Sequence, residues 1–164
     1  MLSETVKLEK LRQKIEDISY EAGDKTDYLS YGKPTPEQAK QTQALIEKLN
    51  AETKSAQAEL EQTLAALRTQ QPQVIEEWVN YHVSFLQKII NANAKDQDAK
   101  TRKYVAQETL DKWELVRKGE LAYVSINWHF LKEYRAHVRS ISEKSKVGNA
   151  SAATEEKAWW QFWK

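Results

Sequence analysis

Cysteine is absent from the chain, and four glycines and three prolines are all that punctuate its 164 residues. The first absence excludes a disulfide-stapled fold, a cysteine nucleophile and any thiolate-ligated zinc or iron–sulfur centre. The second removes the residues that tight hairpins need. Gly32, Pro34 and Pro36 fall almost together, so strands are not expected over most of the length. No apolar run reaches the roughly 20 residues that cross a bilayer, and residues 1–22 alternate Lys and Glu where a secretion signal would be apolar. A surplus of one charge is missing too. With 25 basic against 24 acidic side chains, no block is polarised enough to call for nucleic acid as a partner. Leu, Ile, Val and Phe make up only about a fifth of the chain, near the level below which highly charged sequences stay unfolded. The near-neutral charge still favours folding, and one cytoplasmic domain is expected.

What the chain does have is helical periodicity. Leu8, Leu11, Ile15, Ile18 and Ala22 keep the 3-4 spacing of one helix face, which predicts a first helix over 3–24. The stretch from Asp24 to Pro34 breaks the period. Thr35-Pro36-Glu37-Gln38 then reads as a helix start: the Thr35 hydroxyl can accept from the Gln38 amide, Gln38 can reach back, and Pro36 sits where its missing N–H is harmless. A second helix over 36–70 follows, about 52 Å long at 1.5 Å per residue, with Ile46, Leu49, Leu60, Leu64 and Leu67 on its seam. Pro72 disfavours helical geometry at Gln71 and marks a corner. Ile75, Trp78, Val79, His82, Phe85 and Leu86 form the most apolar stripe of the chain and predict the best-buried helix. Residues 91–100 lose the period and read as a connection. From Thr101 the pattern resumes to Lys146 as a fourth helix in which Gly119 is the weak point. Beside its main row lies a second one, Tyr123, Phe130, Tyr134 and Ile141, offset by roughly 100°. That row fits either a central helix with neighbours on two sides or a face open to another chain.

The expected fold is all-α: an elongated antiparallel bundle of about four helices with coiled-coil-like seams. The bundle would span 1–146, a flexible linker 147–158 and a Trp-rich peptide 159–164.

Chemical motifs are few. No Gly-x-Ser-x-Gly elbow, Ser-x-x-Lys pair or glycine-rich phosphate loop occurs, so no catalytic residue is assigned, no cofactor is expected, and the chain is read as not an enzyme. His129, Glu133 and His137 recur at i, i+4 and i+8, which on a continuous helix would place them on one face as a metal site needs. His82 could add a ligand. The ordinary reading of the same residues is a surface pair with His82 flanking the core. The basic stretch Lys132 to Lys146 suits the negative end of a helix dipole and could also meet an anionic lipid surface.

These features point to a non-catalytic adaptor or scaffold that binds a protein partner. Its contact residues would be Tyr123, Phe130 and Tyr134 on the fourth helix, with Trp159, Trp160, Phe162 and Trp163 in the tail. A homodimer through the fourth helix is part of this reading. Two alternatives stand beside it: a peripheral membrane protein anchored by the aromatic tail, and a metal- or cofactor-binding bundle using the His129, Glu133, His137 face.

Overall fold

A computed structural model describes residues 1–93 and 95–147, without the side chains of 142 and 144–147. The expected linker over 147–158 and the peptide 159–164 lie outside the described residues, apart from the backbone of Val147. Among the described residues the fold is an all-helical bundle, with five helices rather than four: α1 (Ser3–Tyr31), α2 (Pro36–Gln70), α3 (Pro72–Asn91), α4 (Gln97–Lys118) and α5 (Lys132–Val147). α1 and α2 pair as one antiparallel hairpin and α3 and α4 as another, while α3 touches α1, α2, α4 and α5. Its apolar stripe therefore lies at the centre of the molecule, with Val74, Trp78, Val79 and Leu86 at zero exposure.

The predicted punctuation around α2 is present. Thr35 accepts from the Gln38 amide at 3.3 Å while the Gln38 side chain accepts from the Thr35 amide at 3.0 Å. Gln71 turns the corner before Pro72 with φ −145° and ψ 64°.

α1 runs seven residues past its expected end. Gly23 has open space where a Cβ would be, so it weakens the helix by only about 1 kcal/mol. Half-buried Lys25 and Leu29 carry the seam onward. The helix stops at Gly32, where a Cβ would collide with the Tyr28 ring at 2.5 Å. Ala22, Ile46 and Leu49 are buried, yet they stand apart from the contiguous core. The distal ends of α1 and α2 thus bury their apolar residues only in a two-helix seam.

The expected single helix over 101–146 is divided in two. Asp96 starts α4 earlier, its carboxylate accepting from the Ala99 amide at 2.7 Å. Gly119 ends it with φ 84°, a left-handed conformation that favours glycine. The Glu120 amide reaches back to the Leu115 carbonyl at 2.9 Å and the Gly119 amide to Val116 at 3.1 Å, which closes the helix end. Arg68 of α2 adds a side-chain cap, donating to the carbonyls of Val116 at 2.5 Å and Arg117 at 3.2 Å. Beyond it the chain extends. Val124, Ile126 and Trp128 are buried while Ser125 and Asn127 between them are exposed, the alternation of an extended segment. α5 begins only at Lys132.

Two outcomes test these junctions. Gly119→Ala should lower stability by about 1–2 kcal/mol, because an L side chain is strained at this φ, while its Cβ would only reach ordinary contact with the Arg68 guanidinium at 3.4 Å. Thr35→Ala should remove about 1 kcal/mol. Urea denaturation followed by circular dichroism reads both.

Candidate functional site

The most concentrated set of ionisable groups lies inside the bundle. Glu9, Arg12 and Glu16 stand at i, i+3 and i+7, so they share one face of α1, and that face points inward: their exposures are 0%, 0% and 2%. Sequence reasoning missed them, because charges at this spacing usually mark a solvated face. Arg12 grips Glu9 Oε1 through Nε at 3.0 Å and Nη2 at 2.8 Å, and meets Glu16 Oε2 through Nη1 at 3.2 Å. The same Nη1 donates to the Val124 carbonyl at 3.2 Å, while Glu16 Oε1 accepts from the Ile126 amide at 3.1 Å. In this way the extended segment is held by side chains of α1.

The second Glu9 oxygen serves α3. It accepts from Trp78 Nε1 at 2.9 Å and stands 2.7 Å from His82 Nε2. The other ring nitrogen of His82 lies 2.5 Å from the Tyr134 hydroxyl of α5, which accepts from Trp113 Nε1 of α4 at 3.0 Å. The His82 ring also stacks on Trp113, with centroids 3.7 Å apart and planes within 8°. One connected network thereby joins α1, α3, α4, α5 and the extended segment.

Burial opposes ionisation of Glu9, but Arg12 and His82 outweigh it and hold its carboxyl well below the usual range. For Glu16 burial wins over Arg12 and pushes the pKa up. Burial likewise depresses His82 against the pull of Glu9, and raises Tyr134 well above the ordinary phenol range. The network therefore holds an ionised Glu9–Arg12 pair beside a neutral imidazole. A carboxylate, imidazole and phenol in line could in principle pass a proton. With no exposure at Glu9, His82 or Tyr134, a substrate has no approach, and what the arrangement does is fix helices in register.

The residues singled out in the sequence are scattered. Tyr134, expected on a contact face, is fully buried, as is its row partner Ile141 at 1% exposure. The break at Gly119 removes the helix on which the second row was drawn. Tyr123 is half-buried on the extended segment, where burial lifts its pKa to about 12, and Phe130 is 36% exposed in the turn before α5. His129 lies in that same turn and not on a helix, so the expected i, i+4, i+8 face with Glu133 and His137 does not form. His137 sits between the rings of Tyr81 and Phe85, with centroids 4.3 and 4.2 Å away. Among the described residues no group of three or more His, Cys, Asp or Glu side chains could hold a metal ion, and His82 is committed to Glu9 and Tyr134. A surface cavity of about 670 Å³ next to Phe130 is lined by Asp96, Arg102, His129 and Lys132 among others, none of them part of the buried network. No helix among the described residues is long and apolar enough to cross a membrane. Trp159, Trp160, Phe162 and Trp163 lie outside the described residues. Compared with protein-family models, curated proteins and solved structures, the chain has no match in any of the three.

Removing one member of the network should leave its partners buried and unanswered. Arg12→Leu strands Glu9 and Glu16 and should lower stability by about 3–5 kcal/mol, whereas Asp17→Ala, which deletes only the exposed ion pair with Arg139 at 3.0 Å, should change it by less than about 1 kcal/mol. Thermal and urea melts of the two variants check the contrast.

Proposed function

We propose that this chain is a non-catalytic helical adaptor that works through protein–protein contacts, the bundle carrying the Trp-rich peptide 159–164 as its principal contact. The observation that supports this reading is the burial of the Glu9, Arg12, His82, Tyr134 network. The richest set of ionisable side chains in the described structure is committed to holding the bundle together. The densest recognition chemistry in the sequence is instead Trp159, Trp160, Phe162 and Trp163, four large aromatics in six residues. Each such ring buries about 150–250 Å² when docked, and the same rings left in water are an aggregation liability. Glu155 and Glu156 beside Lys157 and Lys164 leave little net attraction to anionic lipid, which favours a protein groove over a membrane surface. A cytoplasmic location belongs to the same proposal.

The deciding comparison is the full chain against a chain ending at Ala158. Affinity capture of a defined partner should be lost on truncation while the melting temperature stays within about 2 °C. Flotation of the full chain with anionic vesicles would replace the adaptor by a peripheral membrane protein, and a large fall in melting temperature on truncation would make the peptide part of the core. Self-association through the exposed Phe130 is the second element of the proposal. Light scattering should give a mass above the 19.1 kDa of one chain, returning to it in Phe130→Glu without loss of helicity. Tyr134→Glu would unfold the chain, since it puts a charge in the core.

A further inference from the structure

The row Trp113, Tyr134, His82, Glu9 has one consistent donor order. Trp113 Nε1–H can only donate, so the Tyr134 oxygen accepts from it at 3.0 Å. Ionised Glu9 can only accept, so His82 Nε2 donates to it at 2.7 Å. The single proton of Tyr134 therefore goes to His82 Nδ1 at 2.5 Å, and that nitrogen has to be bare. All of these bonds coexist in one protonation state, the neutral imidazole with its hydrogen on Nε2.

We propose that His82 is a proton-operated latch that holds residues 119–147 against α1 and α3. A second proton on its ring sets Nδ1–H against the Tyr134 O–H, donor to donor. The phenol has no exposure, so water cannot replace the lost acceptor. The part of the molecule on the far side of that bond is α5, and its attachment differs from that of the other helices. The α1–α2 and α3–α4 hairpins are long helix–helix seams. Residues 119–147 add to their apolar packing a set of side-chain bonds to single backbone groups: Arg12 to Val124, Glu16 and Tyr20 to Ile126, Gln13 to Val138, and Tyr81 to His137. This segment is therefore the part that loss of the Tyr134 bond would free from α1 and α3.

The charged and titratable groups facing His82 are Glu9 and Arg12 from α1, Tyr134 and His137 from α5, and Tyr81 on its own helix; α4 presents the ring of Trp113. Burial, Arg12 and His137 disfavour the protonated ring and Glu9 favours it, with burial dominant. An unfolded histidine takes up its proton near pH 6.5. The native ring resists, so its contribution to stability falls as the pH drops through that value. Glu16 acts in the opposite sense, because its raised pKa lets the native state bind a proton more readily than the unfolded chain. The depressed Glu9 loses its contribution only below the ordinary glutamate range.

The test follows amide hydrogen exchange of the full chain between pH 7.5 and 5, after correction for intrinsic exchange rates, together with an NMR titration of the His82 ring. Amides of 121–141 are expected to lose at least tenfold more protection than the α1 and α3 core, with a midpoint that matches the His82 titration. His82→Gln, which can donate and accept without titrating, should remove the response, and Glu16→Gln should keep it. Equal loss across all helices, no change over this range, or an unaltered response in His82→Gln each overturns the latch. Should His82→Gln fail to fold, Tyr134→Phe decides. Without the phenol there is no bond for the second proton to break, so amides of 121–141 should be less protected already at pH 7.5 and should lose their selective response to acid. A selective acid response of unchanged size in Tyr134→Phe would rule the mechanism out.

Discussion

A guanidinium with no solvent exposure has to be answered where it sits. The idealised penalty for moving such an ion into a medium of protein-like dielectric is of order 20 kcal/mol, and several kcal/mol remain after relaxation. Glu9 and Glu16 answer Arg12 from the same helix, so their Coulombic pairing alone does not decide how α1 sits in the bundle. What decides it is the rest of the valence: one Arg12 hydrogen goes to the Val124 carbonyl, one Glu16 oxygen takes the Ile126 amide, and one Glu9 oxygen takes both Trp78 and His82. Those bonds close only when α3 and the extended segment stand at one register against α1. A slip of one turn would leave an ion pair buried with unmet donors and acceptors, a heavier penalty than an apolar stripe would impose for the same slip. The packing of Leu8 and Ile15 beside this row supplies burial, and the ionic row supplies the alignment.

Much of the bundle was legible because its signals are local. The Thr35 to Gln38 capping box and the corner before Pro72 each depend on residues within a few positions, and the stripe of α3 is wide enough to survive any choice of neighbour. The break after α4 was ambiguous for a definite reason. Leu121, Val124, Trp128 and Leu131 fit a helix, while Val124, Ile126 and Trp128 fit an extended segment equally well. Two influences settle the matter. Gly119 can take the left-handed φ that L side chains avoid, and Arg68, about fifty residues earlier, supplies the cap that makes a helix end there favourable. Only the first is visible locally. At α1 the error ran the other way, since Gly23 costs too little to stop a helix whose seam with α2 continues through Leu29.

The buried network was not legible at all, again for a physical reason. Glu, Arg and Glu at helical spacing form the same pattern whether the face meets water or protein. The partners that decide between the two lie far along the chain, with His82 73 residues from Glu9 and Val124 112 residues from Arg12. The aromatic residues show the complementary case. The second row of the expected fourth helix had an interior and an exterior reading; Tyr134 and Ile141 took the first and Phe130 the second. Trp128 belongs to the core through burial, and the Arg12 and Arg135 guanidinium groups, 5.9 and 5.7 Å from its ring centroid, add cation–π contact at the outer limit of its range. Its indole N–H is buried with no hydrogen-bond partner among the described residues.

α2 belongs to two mechanical regimes at once. Its C-terminal half, with Leu60, Leu64 and Leu67, is part of the contiguous core, while Ile46 and Leu49 are buried only against α1. A two-helix seam of this kind has few apolar contacts per residue, so its free energy of local opening is expected to be well below that of the Trp78 and Trp113 region. The helix joining the two regions has neither glycine nor proline between Pro36 and Pro72, and the Thr35 cap secures its free end. Separation of the hairpin end is therefore opposed chiefly by helical continuity from the core outwards. That continuity lets a thin seam remain ordered far from the residues that stabilise the fold.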